Sequence, residues 1–396
     1  MLGDSSNPVA LVVVAVGALG VAWANGANDN VKGVATLLGS RTTGYRGALA
    51  FATATTLAGS LAATFLAATL ARRFSGAGLV PDAVVADPLF VGAVAVAAAL
   101  TVLLATVAGL PISTTHALTG ALVGAGLVAA GSALDLSTLG ARFLAPLALG
   151  PLLAMALTVP GYLGLKRARR ALGITPESCL CIGTEIVPVA HLAPAPALAL
   201  LPRPDGRPVA IPAGGAAEAL TVAAGTEAEC VERYAGRLLG LEAQSLVDGL
   251  HFASAGAVSF ARGLNDTPKI AALLVAAGAL GLPLGASTTV VGLAMALGGW
   301  LGARRVARTM SERITTMNSG QGFAGNLVTA AVVIGASRLG LPVSTTHVSC
   351  GALFGIGVAG GRANLGMIAA IVVAWVATLP LAAALGAGIA AIGRAF

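Results

Sequence analysis

Residues 110–116 read Leu-Pro-Ile-Ser-Thr-Thr-His, and nearly the same word, Leu-Pro-Val-Ser-Thr-Thr-His, returns 231 positions later at residues 341–347. A second word, Gly-Ala-Asn-Asp-Asn-Val-Lys at residues 26–32, resembles Gly-Leu-Asn-Asp-Thr-Pro-Lys at residues 263–269, which lies 237 positions later. Both pairs keep the same order along the chain at nearly the same offset. We therefore predict that the chain is a duplicated unit and that these polar words form its functional site.

The composition is that of an integral membrane protein. Of the 396 residues, 57% are hydrophobic and 10% are charged, whereas a soluble domain has about 25% charged residues. Disorder is excluded because it requires low hydrophobicity and high charge, and nucleic-acid binding is excluded as a main function. Since a helical crossing takes about 20 apolar residues, the length allows roughly ten crossings and a small extramembrane part.

The chain divides into three parts. Residues 1–170 and 246–396 are rich in long apolar runs and are predicted as a first and a second transmembrane repeat. Residues 171–245 contain many prolines, which break helices, and Pro-Asp-Gly at 204–206 predicts the tight turn of a hairpin. We expect this middle part to be a small, partly β extramembrane domain. It is either a linker between the repeats or a regulatory, partner-binding segment.

Clusters of basic residues indicate the orientation of the chain. Lysine and arginine fill four of the five positions 166–170, and a further basic cluster covers residues 304–313. Positive charges beside membrane helices favour the cytoplasmic side. We therefore expect a multi-pass protein of the cell (inner or plasma) membrane whose residues 171–245 lie in the cytoplasm.

The two Asn-Asp words follow apolar runs directly, with no segment long enough to leave the membrane. An ionised group at membrane depth is costly and usually has a partner and a function. Glycine and proline residues are expected to break the helix at both words and to free main-chain groups for a ligand; they are Gly26, Gly33, Gly263 and Pro268. The alternative interpretation is a buried Asp–Lys pair that only locks two helices together.

The two Ser-Thr-Thr-His words each follow a proline, which favours the start of a helix or a re-entrant turn. Hydroxyl groups and free N–H groups at a helix N-terminus bind anions. Two such loops from opposite halves are therefore predicted to surround a tetrahedral oxyanion. The histidines that end the words, His116 and His347, are either proton carriers near neutral pH or side chains that hold the loops by hydrogen bonds.

These words resemble the inorganic phosphate transporter (PiT) family of secondary carriers, which is marked by a Gly-Ala-Asn-Asp word in each half and by Pro-x-Ser-x-Thr-His words in hairpin loops. The resemblance covers both apolar halves and leaves out residues 171–245. It implies an all-α membrane transporter with inverted repeats, about 10–12 membrane segments including two re-entrant hairpins, and a central phosphate site reached by alternating access. By motif, it implies substrate ligands in both halves: Asn28, Asp29, Ser113, Thr114, Thr115, Asn265, Asp266, Ser344, Thr345 and Thr346.

The chain departs from the family pattern at several positions: Leu264 stands where alanine is usual, and no acid lies near Thr55 and Thr56, where many relatives carry a glutamate. Where relatives carry a second asparagine three residues after the aspartate, this chain has Lys32 and Lys269. A hard cation needs several oxygen ligands, whereas an ammonium group supplies positive charge itself. We hypothesise that both lysines replace coupling sodium ions, neutralise the aspartates and help to bind the anion; the alternative is that they turn away toward lipid headgroups. Coupling to H⁺ is then favoured over Na⁺, through an aspartate, a lysine or a histidine, and uncoupled transport is the alternative. The main candidates for carrying the proton are Asp29, Asp266, His116 and His347.

Other functions stay open at this point. A sulfate or other oxyanion permease would use the same donors, although two aspartates favour phosphate, whose P–OH group needs an acceptor. A membrane enzyme with serine, histidine and aspartate would need one catalytic site, whereas the words occur twice, so no enzyme is predicted; hydrolysis assays would separate the two. A receptor that signals through residues 171–245 would be weakened by a deletion that leaves uptake intact.

The remaining predictions concern ligands and partners. No cofactor and no metal site are predicted, and three cysteines of the polar middle part are interpreted as free thiols: Cys179, Cys181 and Cys230. The expected partners are the anion, membrane lipids and a second copy of the chain in a homodimer. Gln321 and Asn326, close to a glycine-rich break, are further candidates for lining the site or the pathway.

Overall fold

The computed structural model describes residues 8–66, 71–72, 74–177, 201–202, 208–209, 233–235, 237–238 and 240–395. The predicted turn at 204–206 and the three cysteines Cys179, Cys181 and Cys230 lie outside these residues. The helices of the first apolar half are α1 (Pro8–Asp29), α2 (Ala35–Gly39), α3 (Tyr45–Leu66), α4 (Asp82–Val85), α5 (Pro88–Val107), α6 (Thr114–Ala130), α7 (Leu136–Thr138) and α8 (Ala145–Ala171).

The second half repeats this all-helical character. Its helices are α9 (Ala243–Ala276), α10 (Leu284–Gly302), α11 (Arg304–Arg308), α12 (Ser319–Arg338), α13 (Thr345–Gly360) and α14 (Leu365–Ala395). A 3₁₀ turn at Gly131–Ala133 and two π-helical segments, Leu139–Leu144 and Thr309–Arg313, interrupt the α-helices. The predicted all-α fold class is therefore confirmed.

Seven helical stretches in the described residues are long and apolar enough to cross a membrane. They are Pro8–Asp29, Tyr45–Phe65, Pro88–Val107, Thr114–Ala133, Leu136–Ala171, Leu284–Gly302 and Leu365–Ala395. The protein is a multi-pass membrane protein, as the composition predicts. The re-entrant hairpins, the total of 10–12 segments and the inversion of the repeats stay predictions of the resemblance.

The chain forms two compact units. The first contains Met1–Leu165 together with Gly249–Phe396, so that both apolar halves pack into one body. Helices in this body approach to backbone contact. A Cβ atom on Gly26 would lie 2.0 Å from the main-chain oxygen of Met295, and one on Gly298 would lie 2.0 Å from that of Trp23. The glycine-rich composition thus lets α1 and α10 cross closely, as is typical of membrane helices.

The two Asn-Asp words have different backbone structures. In the first word α1 ends at Asp29, and the chain turns over residues 30–34 before α2 begins at Ala35. In the second word α9 continues from Ala243 to Ala276 with Pro268 inside it. The expectation of a broken helix at both words is therefore wrong for the second one. A proline removes one helical hydrogen bond, and the tightly buried flanking turns keep the helix continuous.

The second compact unit is Lys166–Asp248. Its described strands are β1 (Thr175–Glu177), β2 (Leu201–Pro202), β3 (Pro208–Val209), β4 (Arg233–Ala235), β5 (Arg237–Leu238) and β6 (Leu241–Glu242). They pair antiparallel as β1 with β4, β2 with β3, and β5 with β6. The β2–β3 pair flanks the predicted hairpin turn, and the Arg169 guanidinium lies 4.9 Å from the Tyr234 ring centre.

Candidate functional site

Lys32 lies in the turn after α1 and is buried, with 1% of its surface exposed. Its ammonium group contacts three oxygen atoms. It pairs with the carboxylate of Asp29, donates to the hydroxyl of Thr346, and donates to the main-chain oxygen of Ile112 at 2.9 Å. An ammonium group has three hydrogens to donate, so each hydrogen has an acceptor.

Lys269, on α9, makes the equivalent contacts in the second half. Its ammonium group lies 3.4 Å from a carboxylate oxygen of Asp266, and it donates to the hydroxyl of Thr115 and to the main-chain oxygen of Val343, both at 2.8 Å. Each lysine thus pairs with the aspartate of its own word and with a threonine of the opposite half. Both lysines are buried, so the interpretation that they turn to lipid headgroups is wrong.

Arg262 is a third buried cation, and sequence reasoning missed it. It lies on α9 one turn before Asp266, with 1% of its surface exposed. Its guanidinium donates to the side-chain oxygen of Asn25 at 2.6 Å, and its Nε lies 4.0 Å from Asp266 Oδ2. It also donates to the side-chain oxygens of Asn30 and Thr56, both at 3.2 Å. Its position in an apolar run, four residues before Asp266, is the sequence feature that could have identified it as part of the site.

Asn25 brings the two halves together at the centre of the site. It stands four residues before Asp29, as Arg262 stands four residues before Asp266, and the two positions are 237 residues apart. The Asn25 amide nitrogen faces the carboxylate of Asp29 at 3.1 Å, that of Asp266 at 3.3 Å and the hydroxyl of Thr114 at 2.9 Å. The two predicted acids therefore share one amide group. Thr345 donates to Asp266 at 3.3 Å, which adds the second loop.

The predicted ligands Asn28 and Asn265 clamp the two Ser-Thr-Thr-His segments. The amide of Asn28 donates to the main-chain oxygen of Leu110 at 3.1 Å, and its oxygen accepts from the main-chain N–H of Ile112 at 3.2 Å. The amide of Asn265 donates to the main-chain oxygen of Val343 at 3.1 Å. Each asparagine thus holds the segment that precedes the hydroxyl run of its own half.

The predicted ligands Ser113 and Ser344 are helix N-caps. Ser113 precedes α6 and accepts from the main-chain N–H of His116 at 3.1 Å, and Ser344 precedes α13 and accepts from that of His347 at 3.1 Å. A capping serine uses its oxygen as an acceptor and keeps its hydroxyl hydrogen for another partner. The positive ends of both helices therefore lie beside the buried charges.

His116 and His347 lie against each other, with ring centres 4.3 Å apart. His347 also stacks on Trp375, whose ring centre lies 3.9 Å away, and the Trp375 indole donates to the main-chain oxygen of Pro111 at 3.0 Å. Among the described residues, His116 Nδ1 and His347 Nε2 have no hydrogen-bond partner. The two histidines, one from each apolar half, therefore form one cluster with Trp375.

Charge balance distinguishes this site from an ordinary buried ion pair. The buried lysine, arginine, aspartate and glutamate side chains of the described residues are Asp29, Lys32, Arg262, Asp266 and Lys269. Three formal positive charges face two negative ones, which leaves an excess of one positive charge. The two aspartates and two lysines foreseen from the sequence would have left the site neutral. An uncompensated buried charge is costly. The excess positive charge of this site would therefore be offset by a bound anion.

The further candidates Gln321 and Asn326 lie elsewhere. Gln321 forms a capping box with Asn318 at the start of α12, through hydrogen bonds of 2.9 and 3.0 Å. Asn326 donates to the hydroxyl of Thr36 at 2.8 Å, and His251 contacts the same hydroxyl at 2.9 Å. Neither residue makes a described contact with the lysine, arginine or aspartate side chains of the site.

Comparisons with known proteins identify the family of the chain. A family model described as "Phosphate transporter family" matches residues 25–386. A candidate phosphate permease of Mycobacterium bovis is 46% identical over 100 residues, which span 25% of this chain and 18% of that protein. A candidate phosphate permease of Thermococcus kodakarensis is 28% identical over 411 residues, which span 96% of this chain and 97% of that protein.

A solved structure named "The sodium-dependent phosphate transporter" is similar in fold. It matches with a TM-score of 0.71 at 21% identity, over 98% of this chain and 100% of that chain. At this identity the likeness bears on the fold alone. The match of the family model over most of the length decides the assignment, and it agrees with the resemblance of the repeated words. The chain belongs to the phosphate transporter family.

Proposed function

We propose that this protein imports inorganic phosphate by alternating access and couples it to protons rather than to sodium. The observation that carries the proposal is the environment of the two lysines. Each ammonium group contacts a carboxylate, a main-chain carbonyl and a threonine hydroxyl. These are the oxygen ligands that a hard metal cation would take. The oxygen contacts of the two ammonium groups thus support the proposal that the lysines take the place of two coupling cations.

The surroundings of the site support an oxyanion as its substrate. Helices α6 and α13 begin at Thr114 and Thr345, and the first N–H groups of a helix have no partner within it. Such N-termini bind anions together with nearby hydroxyl groups. The excess positive charge supplied by Arg262 adds to this attraction. The substrate would thus meet donors from both halves, as the pseudo-symmetric words require.

The two aspartates provide the proton step. Asp29 and Asp266 both face the amide of Asn25, at 3.1 and 3.3 Å. Protonation of either one raises the formal charge of the site from one to two positive charges, which favours the entry of a doubly charged phosphate. The proton then leaves with the anion. A carboxylate also accepts a hydrogen bond from P–OH, which fully ionised sulfate lacks, so phosphate is favoured over sulfate.

Uptake of labelled phosphate into proteoliposomes tests the proposal, with sodium and proton gradients applied separately and sulfate as a competitor. We expect a proton gradient to drive uptake, a sodium gradient to have no effect, and excess sulfate to compete weakly. Sodium-driven uptake by the wild type would contradict the proposal that Lys32 and Lys269 replace coupling sodium ions. Transport or exchange of sulfate without phosphate uptake would assign the site to a sulfate permease.

Variants separate the role of the lysines from general damage. Lys32→Asn and Lys269→Asn restore the asparagine of the family pattern, and we expect the double variant to lose proton-driven uptake and gain sodium dependence. Thr158→Val is the matched control, because Thr158 is buried and its hydroxyl donates to the Ala154 main-chain oxygen one turn earlier, at 2.7 Å. A double variant without any sodium dependence would count against the replacement of sodium by lysine.

A further inference from the structure

A second basic pocket lies at the ends of two membrane spans. It has a volume of about 510 Å³, within the usual size of ligand sites, and three arginines line it: Arg41, Arg304 and Arg308. Tyr45 and Ser311 line the pocket as well, and Tyr45 is the first residue of the α3 span. Helix α11, which carries Arg304 and Arg308, begins two residues after the α10 span ends at Gly302. The pocket therefore lies at the depth where lipid headgroups and the aqueous phase meet.

The lining of the pocket is strongly positive. Three arginines face a single acid, Glu312, which lies 3.9 Å from Arg308 and leaves two formal positive charges in excess. Arginine carries a planar fork of donors that matches the oxygens of a phosphate group. Arg41 comes from the first apolar half and Arg304 from the second, so folding brings them together.

The backbone at Arg41 is held in a conformation that disfavours arginine. Arg41 has φ of 56°, and it is the one residue other than glycine with positive φ in the part of the chain that the structure describes. Its N–H bonds to the Leu38 oxygen, and the N–H of Thr42 bonds to the Leu37 oxygen. These two bonds form the Schellman motif that ends a helix, whose left-handed position usually carries glycine.

Other helices of this chain follow the glycine rule. The same pair of main-chain bonds ends further helices at Gly109, Gly173, Gly278, Gly340 and Gly361, each with positive φ. A side chain other than glycine is strained in this conformation, and such strain is kept chiefly at functional sites. At Arg41 the strained position points to a use for the guanidinium group.

The elements that frame the pocket are hydrogen-bonded to the chain just before the 110–116 word. Arg305 donates to the Val107 main-chain oxygen and Thr309 to that of Gly109, both at 2.7 Å, immediately before the 110–116 word. Helix α2, which follows the turn that contains Lys32, packs against the π-helical segment Thr309–Arg313. A Cβ atom on Gly39 would lie 2.7 Å from the main-chain oxygen of Ser311.

We infer that this pocket binds a phosphate group at the membrane surface, separately from the central site. Inorganic phosphate and the headgroup of an anionic phospholipid present the same oxyanion, and basic pockets at helix ends bind such headgroups. The inference is independent of the proposed coupling ion. It assigns to Arg41, Arg304 and Arg308 the binding of one phosphate group per chain.

The test uses the full-length protein in uncharged maltoside micelles. One arm measures the stoichiometry and affinity of labelled inorganic phosphate, and the other counts retained phosphatidylglycerol by native mass spectrometry. We expect Arg304→Gln/Arg308→Gln and Arg41→Gly to lose one phosphate or one phosphatidylglycerol per chain, or to bind it about tenfold more weakly. Arg46→Gln is the matched control, since Arg46 is an exposed arginine of the same segment and does not line the pocket.

A stability measurement distinguishes ligand binding from a structural role. Glycine fits the backbone of residue 41, so Arg41→Gly is expected to unfold at the same or a higher temperature while it loses binding. Retained binding in all pocket variants in both arms overturns the inference, as does an equal loss in Arg46→Gln or a lower unfolding temperature for Arg41→Gly. Phosphate that remains bound in the pocket variants but is lost in Lys32→Met/Lys269→Met belongs to the central site, so the two failures can be distinguished.

Discussion

Replacing Lys32 with methionine is expected to destabilise the protein more than replacing Lys269, although the two lysines make equivalent contacts. After Lys32→Met, the buried carboxylate of Asp29 keeps one described hydrogen-bond partner, the Asn25 amide at 3.1 Å. That partner is neutral and is shared with other acceptors. The charge of Asp29 would thus be left in the interior without a cation in contact.

After Lys269→Met, the remaining acid is better supported. Asp266 keeps the guanidinium of Arg262 at 4.0 Å, and Thr345 donates to it at 3.3 Å. Loss of one partner from a buried ion pair costs about 3–5 kcal/mol. We expect the full loss for Lys32→Met and a loss smaller by roughly 2 kcal/mol for Lys269→Met, because charge-assisted hydrogen bonds to the remaining groups offset part of it.

Removing both charges of a word should restore most of the stability. In Asp29→Asn/Lys32→Met the uncompensated carboxylate is gone, so we expect this double variant to be more stable than Lys32→Met alone. The assay is reversible unfolding in mixed micelles with increasing dodecyl sulfate. The free energies of the wild type, the single variants and the double variant complete a double-mutant cycle for each word.

Two results would refute this reasoning. Equal losses for Lys32→Met and Lys269→Met would mean that Arg262 does not compensate for the missing lysine. A double variant whose loss equals the sum of the single losses would mean that Asp29 and Lys32 are not an energetic pair. The control is Thr158→Val, which changes a buried hydroxyl outside the site and is expected to stay within about 1 kcal/mol of the wild type.

Three further predictions follow from single contacts. Arg262→Met removes the excess positive charge, and we expect the affinity for phosphate, measured by equilibrium binding, to fall roughly tenfold. Gly124→Ala would place a Cβ atom 1.8 Å from the Ala383 main-chain oxygen, and we expect it to lower the free energy of unfolding in micelles by about 1–3 kcal/mol. A Cβ atom on Gly164 would meet open space, so Gly164→Ala should be neutral. Hydrogen bonds from Ser137 and Thr138 lower the pKa of the exposed Asp135 carboxyl from 3.8 to about 2. Its stabilising contribution is therefore complete above pH 3.8 and is lost as the pH falls through about 2, so the unfolding temperatures of Asp135→Ala and the wild type should converge over that interval.

The sequence was sufficient for the class of protein and for most of the polar residues that the structure brings together in the candidate site. Long apolar runs predict membrane helices because a bilayer imposes a length and a polarity on whatever crosses it. Polar words inside such runs stand out because each ionised group there carries a large cost. Their repetition in the same order pointed to the two lysines, the two aspartates and the two hydroxyl runs, which the fold brings together.

The sequence was misleading where a residue's role depends on its neighbours in space. Pro268 suggested a broken helix, yet α9 is continuous because tight packing on either side outweighs one lost hydrogen bond. Ser113 and Ser344 also cap their helices, a role that the motif did not predict, and their role as substrate ligands stays a prediction. Local propensity cannot separate these outcomes, because the same serine can accept from a main-chain N–H or face a ligand.

What the sequence determined by itself is the membrane class, the recurrence of the polar words and the inventory of polar groups, since composition and spacing along the chain are enough for these. Only the tertiary structure decided which groups meet. The contact of Arg262 with Asn25 joins positions 237 residues apart, and that of Lys32 with Thr346 joins positions 314 apart. The net charge of the site and the arginine pocket follow from such contacts, because electrostatic energy depends on distance in space and not on separation along the chain.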